Sequence, residues 1–147
     1  MKQLSLICIL ILTATISCTS ALVKPSPDRP VQVVMMDDID IKKLGSERTD
    51  IGEESSPFWL PAGKTELGAY YFGPKYWSNQ TIWIGFTSAP GDTWIICSGV
   101  YKDEDYPLLE AFKVLPDHIK KVVENESDRL PVCRQYFHAR RDAQKKT

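Results

Sequence analysis

Residues 81–101, TIWIGFTSAPGDTWIICSGVY, decide the fold. Two runs rich in β-branched and aromatic residues, 81–87 and 93–101, flank Ser88-Ala89-Pro90-Gly91-Asp92. Such runs bounded by turn residues read as strands. Pro-Gly at a loop centre favours a type II turn, and the loop length fits a hairpin. Ile82, Ile84 and Phe86 share one face, with Trp83 and Thr87 on the other. On the second strand Trp94, Ile96 and Val100 alternate with Ile95, Cys97 and Tyr101. Both faces are substantially apolar, so the hairpin is expected to be central, with a helix or second sheet over each side.

Beyond Lys102-Asp103-Glu104-Asp105 the apolar spacing lengthens. Leu108, Phe112, Leu115, Ile119 and Val122 recur at four-and-three intervals, the stripe of an amphipathic helix. Asp105 suits a cap, and Pro107 is tolerated in a first turn. Pro116 demands a break, so two short helices, 107–114 and 117–125, are expected to meet near Leu115 and bury the stripe against the hairpin. Upstream, residues 22–30 hold Pro25, Pro27 and Pro30 and read as an extended lead-in. The apolar run 31–36 reads as a strand, 39–56 as a polar, acidic surface loop, and 67–72 as a strand broken at Gly73-Pro74. The expected class is α+β: a small antiparallel sheet with a central hairpin, covered by a kinked C-terminal helix and held by one disulfide. The divisions are 1–21 as signal peptide, 22–56 as lead-in, strand and loop, 57–135 as the core of one domain, and 136–147 as a basic tail.

The export reading rests on Lys2, the apolar core 6–12, and the small residues Thr19-Ser20-Ala21. That apolar run is too short for a bilayer, which needs about 20 residues, and no longer one follows, so no transmembrane segment is expected. A mature chain starting near Leu22 is secreted and extracellular. Cys18 raises the alternative of a bacterial lipoprotein, but Thr15-Ile16-Ser17 before it fits that pattern poorly. With Lys2 removed, 17 Lys and Arg face 19 Asp and Glu, a balance that gives no pull toward nucleic acid. Cys8 and Cys18 leave with the signal. Cys97 and Cys133 remain as the one possible pair, favoured by an oxidising compartment. The same compartment makes Asn79-Gln80-Thr81 and Asn125-Glu126-Ser127 acceptors for N-glycans, so Asn79 and Asn125 should face solvent.

No motif names a reaction: Gly-x-Ser-x-Gly, the Walker loop and His-Glu-x-x-His are all absent. His118 and His138 lie at no metal-ligand spacing from the cysteines. The Asp37, Asp38 and Asp40 cluster misses the calcium-loop pattern and reads as a solvated acidic turn. His118 reads as a solvated residue in a first helical turn. No metal or other cofactor is expected. The alternative function is a small secreted ribonuclease-like hydrolase, in which His138, beside Arg140 and Arg141, pairs with Glu110 as acid and base for metal-independent RNA cleavage. Against that, His138 also reads as an ordinary histidine on a charged tail.

The rings are more informative. Tyr70, Tyr71, Tyr76 and Trp77 crowd into one segment interrupted by Gly-Pro. Tyr and Trp bury one end while keeping a polar handle, which suits interfaces. The expected function is a secreted binding protein that uses this aromatic surface on a protein partner or a small apolar ligand. Hairpin, helix and late disulfide together are similar to the closing part of lipocalin barrels, over less than half of the chain. The Gly-x-Trp of that family is absent, Trp59 following Pro57 and Phe58, and the strands legible here are too few for an eight-stranded barrel. The chain is therefore not assigned to it.

Overall fold

A computed structural model describes residues 22, 24–52, 56–74, 77–100 and 107–146. The expected signal peptide, Tyr76, Tyr101 and the Asp105 cap lie outside these residues. Among these residues eight strands are present: β1 (Val31–Met35), β2 (Ile39–Leu44), β3 (Glu47–Ile51), β4 (Phe58–Leu60), β5 (Gly63–Tyr71), β6 (Ile82–Ser88), β7 (Thr93–Val100) and β8 (Pro107–Lys113). Two helices follow, α1 (Pro116–Glu124) and α2 (Arg129–Gln144), with a 3-10 turn at Glu126–Asp128 between them. The α+β class and the disulfide stand. The strands are more numerous than those legible in the sequence, and the eight form two four-stranded sheets.

One sheet runs β4-β1-β7-β8 and the other β3-β2-β5-β6. This corrects the central hairpin. β6 and β7 occupy the expected residues, but β6 pairs with β5, whereas β7 lies between β1 (parallel) and β8 (antiparallel). The 89–92 turn crosses from one sheet to the other. Its geometry is as expected: Asp92 N–H donates to the Ala89 carbonyl at 3.1 Å. Gly91 has φ +84°, the value its place in a type II turn requires.

Between the sheets, Val31, Val33, Met35, Phe58, Leu60 and Ile96 meet Ile39, Ile41, Ile51, Leu67, Ala69 and Ile84, all buried. The ring of Phe86 lies 4.5 Å from that of Trp94 across the gap. The opposite face of the first sheet is covered by the helices. Cys97 of β7 is bonded to Cys133 of α2, with Cα atoms 5.6 Å apart. Closing a loop of 36 residues stabilises the fold by about 3–4 kcal/mol in the chain-entropy account. Phe112 of β8 packs on Tyr136 and Phe137 of α2, at ring separations of 5.6 and 5.1 Å. Arg129, buried at the start of α2, donates to the carbonyls of Met35 and Val122, each at 2.9 Å. It joins the end of β1 to α1.

Four further expectations change. Residues 107–114 form a strand rather than a helix; Pro116 opens α1 instead of kinking one. Part of the 39–56 loop is the β2–β3 pair, with a bulge between Ile41 and Lys43. The basic tail is helical to Gln144, and Tyr136 and Phe137 within it are buried. His118 is likewise buried, its Nδ1 3.1 Å from the Tyr136 hydroxyl, which also accepts from Leu115 N–H at 2.9 Å.

Candidate binding face

The two sheets differ in what covers them. The first is sandwiched between its partner sheet and the helices; the second, β3-β2-β5-β6, packs on one side only among the described residues. Its inward positions are Thr65, Leu67, Ala69 and Tyr71 on β5, with Ile84, Phe86 and Ser88 on β6, all buried. Period two then sends Lys64, Glu66, Gly68 and Tyr70 outward, beside Thr87, Gly85, Trp83 and Thr81 of the neighbouring chain segment.

Gly68 organises this outer face. It sits in register between Lys43 of β2 and Trp83 of β6. A Cβ on it would lie 2.9 Å from Lys43 Cβ, 2.9 Å from Thr81 Cγ2 and 3.3 Å from the Trp83 ring. The missing side chain is therefore what lets the three neighbours close over the strand. Lys43 Nζ stands 5.4 Å from the Trp83 ring centroid, a cation–π contact. Thr81 Oγ1 donates to the Tyr70 hydroxyl at 3.2 Å. Trp83 nonetheless stays 53% exposed.

The aromatic surface continues past the end of β5. Phe72 N–H donates to the Asp38 carbonyl, and Phe72 pairs with Trp77 in an isolated antiparallel bridge. Bridge partners share a face, and Phe72, two residues beyond Tyr70, lies on the outer one. Phe72 is 48% exposed and Trp77 75%.

Of the expected site residues, Tyr70 and Trp77 are on this surface. Tyr71 points the other way and is buried; burial, with the nearby Asp38 carboxylate second, pushes its phenol pKa up. Asn79 and Asn125 are both exposed. Trp83, Lys43 and Gly68 were missed. Their signal was present in Trp83-x-Gly85-x-Thr87, whose small or polar members mark β6 as open on that side.

The acid–base pair of the alternative reading has other partners: Glu110 is bonded to Arg140, and His138 Nδ1 lies 2.6 Å from Arg141. No group of three metal-ligating side chains occurs among the described residues. Asp38 leaves the acidic turn to accept from Ser98 Oγ through both oxygens at 2.8 Å. Burial pushes its pKa up against the lowering effect of that bond. An open groove of about 470 Å³ lies on the far side of the molecule, lined by Ala111, Phe112, Leu115, Tyr136, Lys113 and Arg140. Lys113 is paired with Asp92 at 2.7 Å and Arg140 with Glu110, so both cations are engaged. No described helix is long and apolar enough to cross a membrane. The chain matches no family model, no curated protein and no solved structure.

Proposed function

We propose that this is a secreted binding protein that captures a protein partner on the outer face of the β3-β2-β5-β6 sheet. One observation carries the reading: Phe72, Trp77 and Trp83, each about half exposed or more, gather on a sheet face that no described element covers. Exposed rings rimmed by polar groups are characteristic of interaction surfaces, and a few aromatic anchors dominate most contacts. Lys43, Glu66, Thr81 and Thr87 supply the polar surround. A protein suits the surface better than a small apolar ligand. A small apolar molecule needs a concave site that buries most of its area, and these rings lie on an open sheet. The disulfide agrees with an oxidising compartment.

Capture from extracellular fluid by immobilised mature protein tests the proposal. Trp83→Ala should retain the wild-type circular dichroism spectrum and lose at least tenfold in captured partner. Undiminished capture would move the site off this face. RNA turnover by the wild type that is abolished in His138→Ala would replace binding with hydrolysis.

A further inference from the structure

Trp77 leaves three quarters of its surface in water, the most of any large apolar side chain described. Two residues on stands Asn79, the acceptor of Asn79-Gln80-Thr81. Ser78 between them is pinned to β5: its N–H donates to the Tyr71 carbonyl at 2.9 Å, and its Oγ accepts from Tyr71 N–H at 2.9 Å. Thr81, the third residue of the sequon, is tied to Tyr70. The sequon is thus anchored on both sides of an exposed asparagine, with Ser78 held inward and Trp77 and Asn79 both outside.

We propose that Trp77 is the platform for an N-glycan on Asn79, the first N-acetylglucosamine lying with its apolar C–H face against the indole. The chain bends at Asn79 and Gln80, so Trp77 and Asn79 stand no farther apart than the roughly 6.5 Å that separates residues two apart in fully extended chain, a gap that an amide-linked sugar ring folding back can close. The negative face of the indole attracts polarised C–H groups. Contact also removes from water the most exposed ring of the molecule. The second sequon provides a contrast within the same chain, because Val123 stands two residues before Asn125, so no ring waits there. The inference does not rest on the binding reading. Its consequence for that reading is that the glycosylated protein meets a partner with Tyr70, Phe72 and Trp83, with Trp77 already covered.

The test uses the full chain made in a eukaryotic secretory host. Asn125→Gln leaves Asn79 as the single acceptor, and enzymatic trimming to one N-acetylglucosamine is compared with complete removal. The retained sugar should raise Tm by about 2–5 °C, a shift typical of a modest contact in a domain of this size. Trp77→Ala should abolish the rise and Trp77→Phe keep part of it. In the one-sugar wild type, the sugar ring and N-acetyl protons should be shifted upfield by the indole. The Asn79→Gln protein, carrying sugar at Asn125 alone, should show no Trp77-dependent rise. An unmodified Asn79 by intact mass, an equal rise in Trp77→Ala, or unshifted sugar protons would each overturn the proposal. None of these readouts involves a partner, so their failure leaves the binding reading to its own test.

Discussion

Two glycines on the same outer face should respond in opposite directions to the same added methyl. At Gly68, a Cβ meets Lys43 Cβ and Thr81 Cγ2 at 2.9 Å and the Trp83 ring at 3.3 Å. The first is the root of a side chain fixed to its strand and has no room to swing aside. Overpacking of this kind costs about 1–3 kcal/mol. Replacing glycine gains back about 0.4–1 kcal/mol from a less flexible unfolded chain. Gly68→Ala should therefore be destabilised by up to about 2.6 kcal/mol. At Gly85, on the adjacent strand, the nearest atom is the Thr65 carbonyl at 3.9 Å. Only the entropic gain remains, so Gly85→Ala should be stabilised by about 0.4–1 kcal/mol. Urea unfolding followed by circular dichroism measures both, with a midpoint shift at constant slope reporting stability alone. Trp83 fluorescence should change in Gly68→Ala as its ring is displaced. In a Trp83→Ala background the Gly68→Ala cost should fall without vanishing, because Lys43 and Thr81 remain. Stability changes of the same sign at the two glycines would refute the close packing over Gly68.

Arg129→Met leaves the Met35 and Val122 carbonyls without the charged donor they share. A loss of about 2–4 kcal/mol is expected in denaturant titration, with Arg129→Lys intermediate because one ammonium cannot reproduce the guanidinium fork. Phe112→Ala removes a half-buried ring and its contacts with Tyr136 and Phe137. It should cost about 2–3 kcal/mol, below the 3–5 of a fully buried Phe, and an unchanged melting curve would detach α2 from β8. Asp38 has a pKa raised above its ordinary 3.8, chiefly by burial. The folded protein therefore holds this proton more tightly than the unfolded chain. The resulting stability is fully present below pH 3.8 and is lost as pH rises through the folded-state value. Asp38→Asn, which can still accept from Ser98, should equal or exceed the wild type at pH 7. Its advantage should shrink on acidification, as stability curves measured across pH would show.

The strands carried by β-branched and aromatic runs were legible: β1, β5, β6 and β7 fall within about four residues of their expected limits. Their pairing was not, because a four-residue turn joins strands across a sandwich as readily as within a hairpin. Residues 107–113 misled for a geometric reason. Leu108 and Phe112 are four apart, and that spacing returns to the same side in a strand as well as in a helix. In β8 both indeed lie on the face toward α2, while Leu109, outside the stripe, is the buried residue on the opposite face. The C-terminal helix was hidden by its charges. Arg129, Val132, Cys133, Tyr136 and Phe137, the buried set, follow the three-and-four rhythm of one helical face, but six basic residues between 129 and 147 suggested a solvated end. Within the aromatic segment, ring content pointed to the surface without separating Tyr71 from Tyr70. That distinction needs the register of β5 against β2 and β6. Trp83 escaped because a tryptophan between isoleucines reads as core until the uncovered side of its sheet is known.

The central claim, that the outer face of β5 and β6 is the contact surface, is tested most directly by hydroxyl-radical footprinting of the mature protein alone and saturated with its captured partner. Oxidation of Trp83, Tyr70 and Phe72 should fall together in the complex, while Phe112 and Leu115 at the groove beside α2 are modified at unchanged rates. Protection of Phe112 and Leu115 with Trp83 still fully reactive would contradict the claim and place the partner on the opposite side of the molecule.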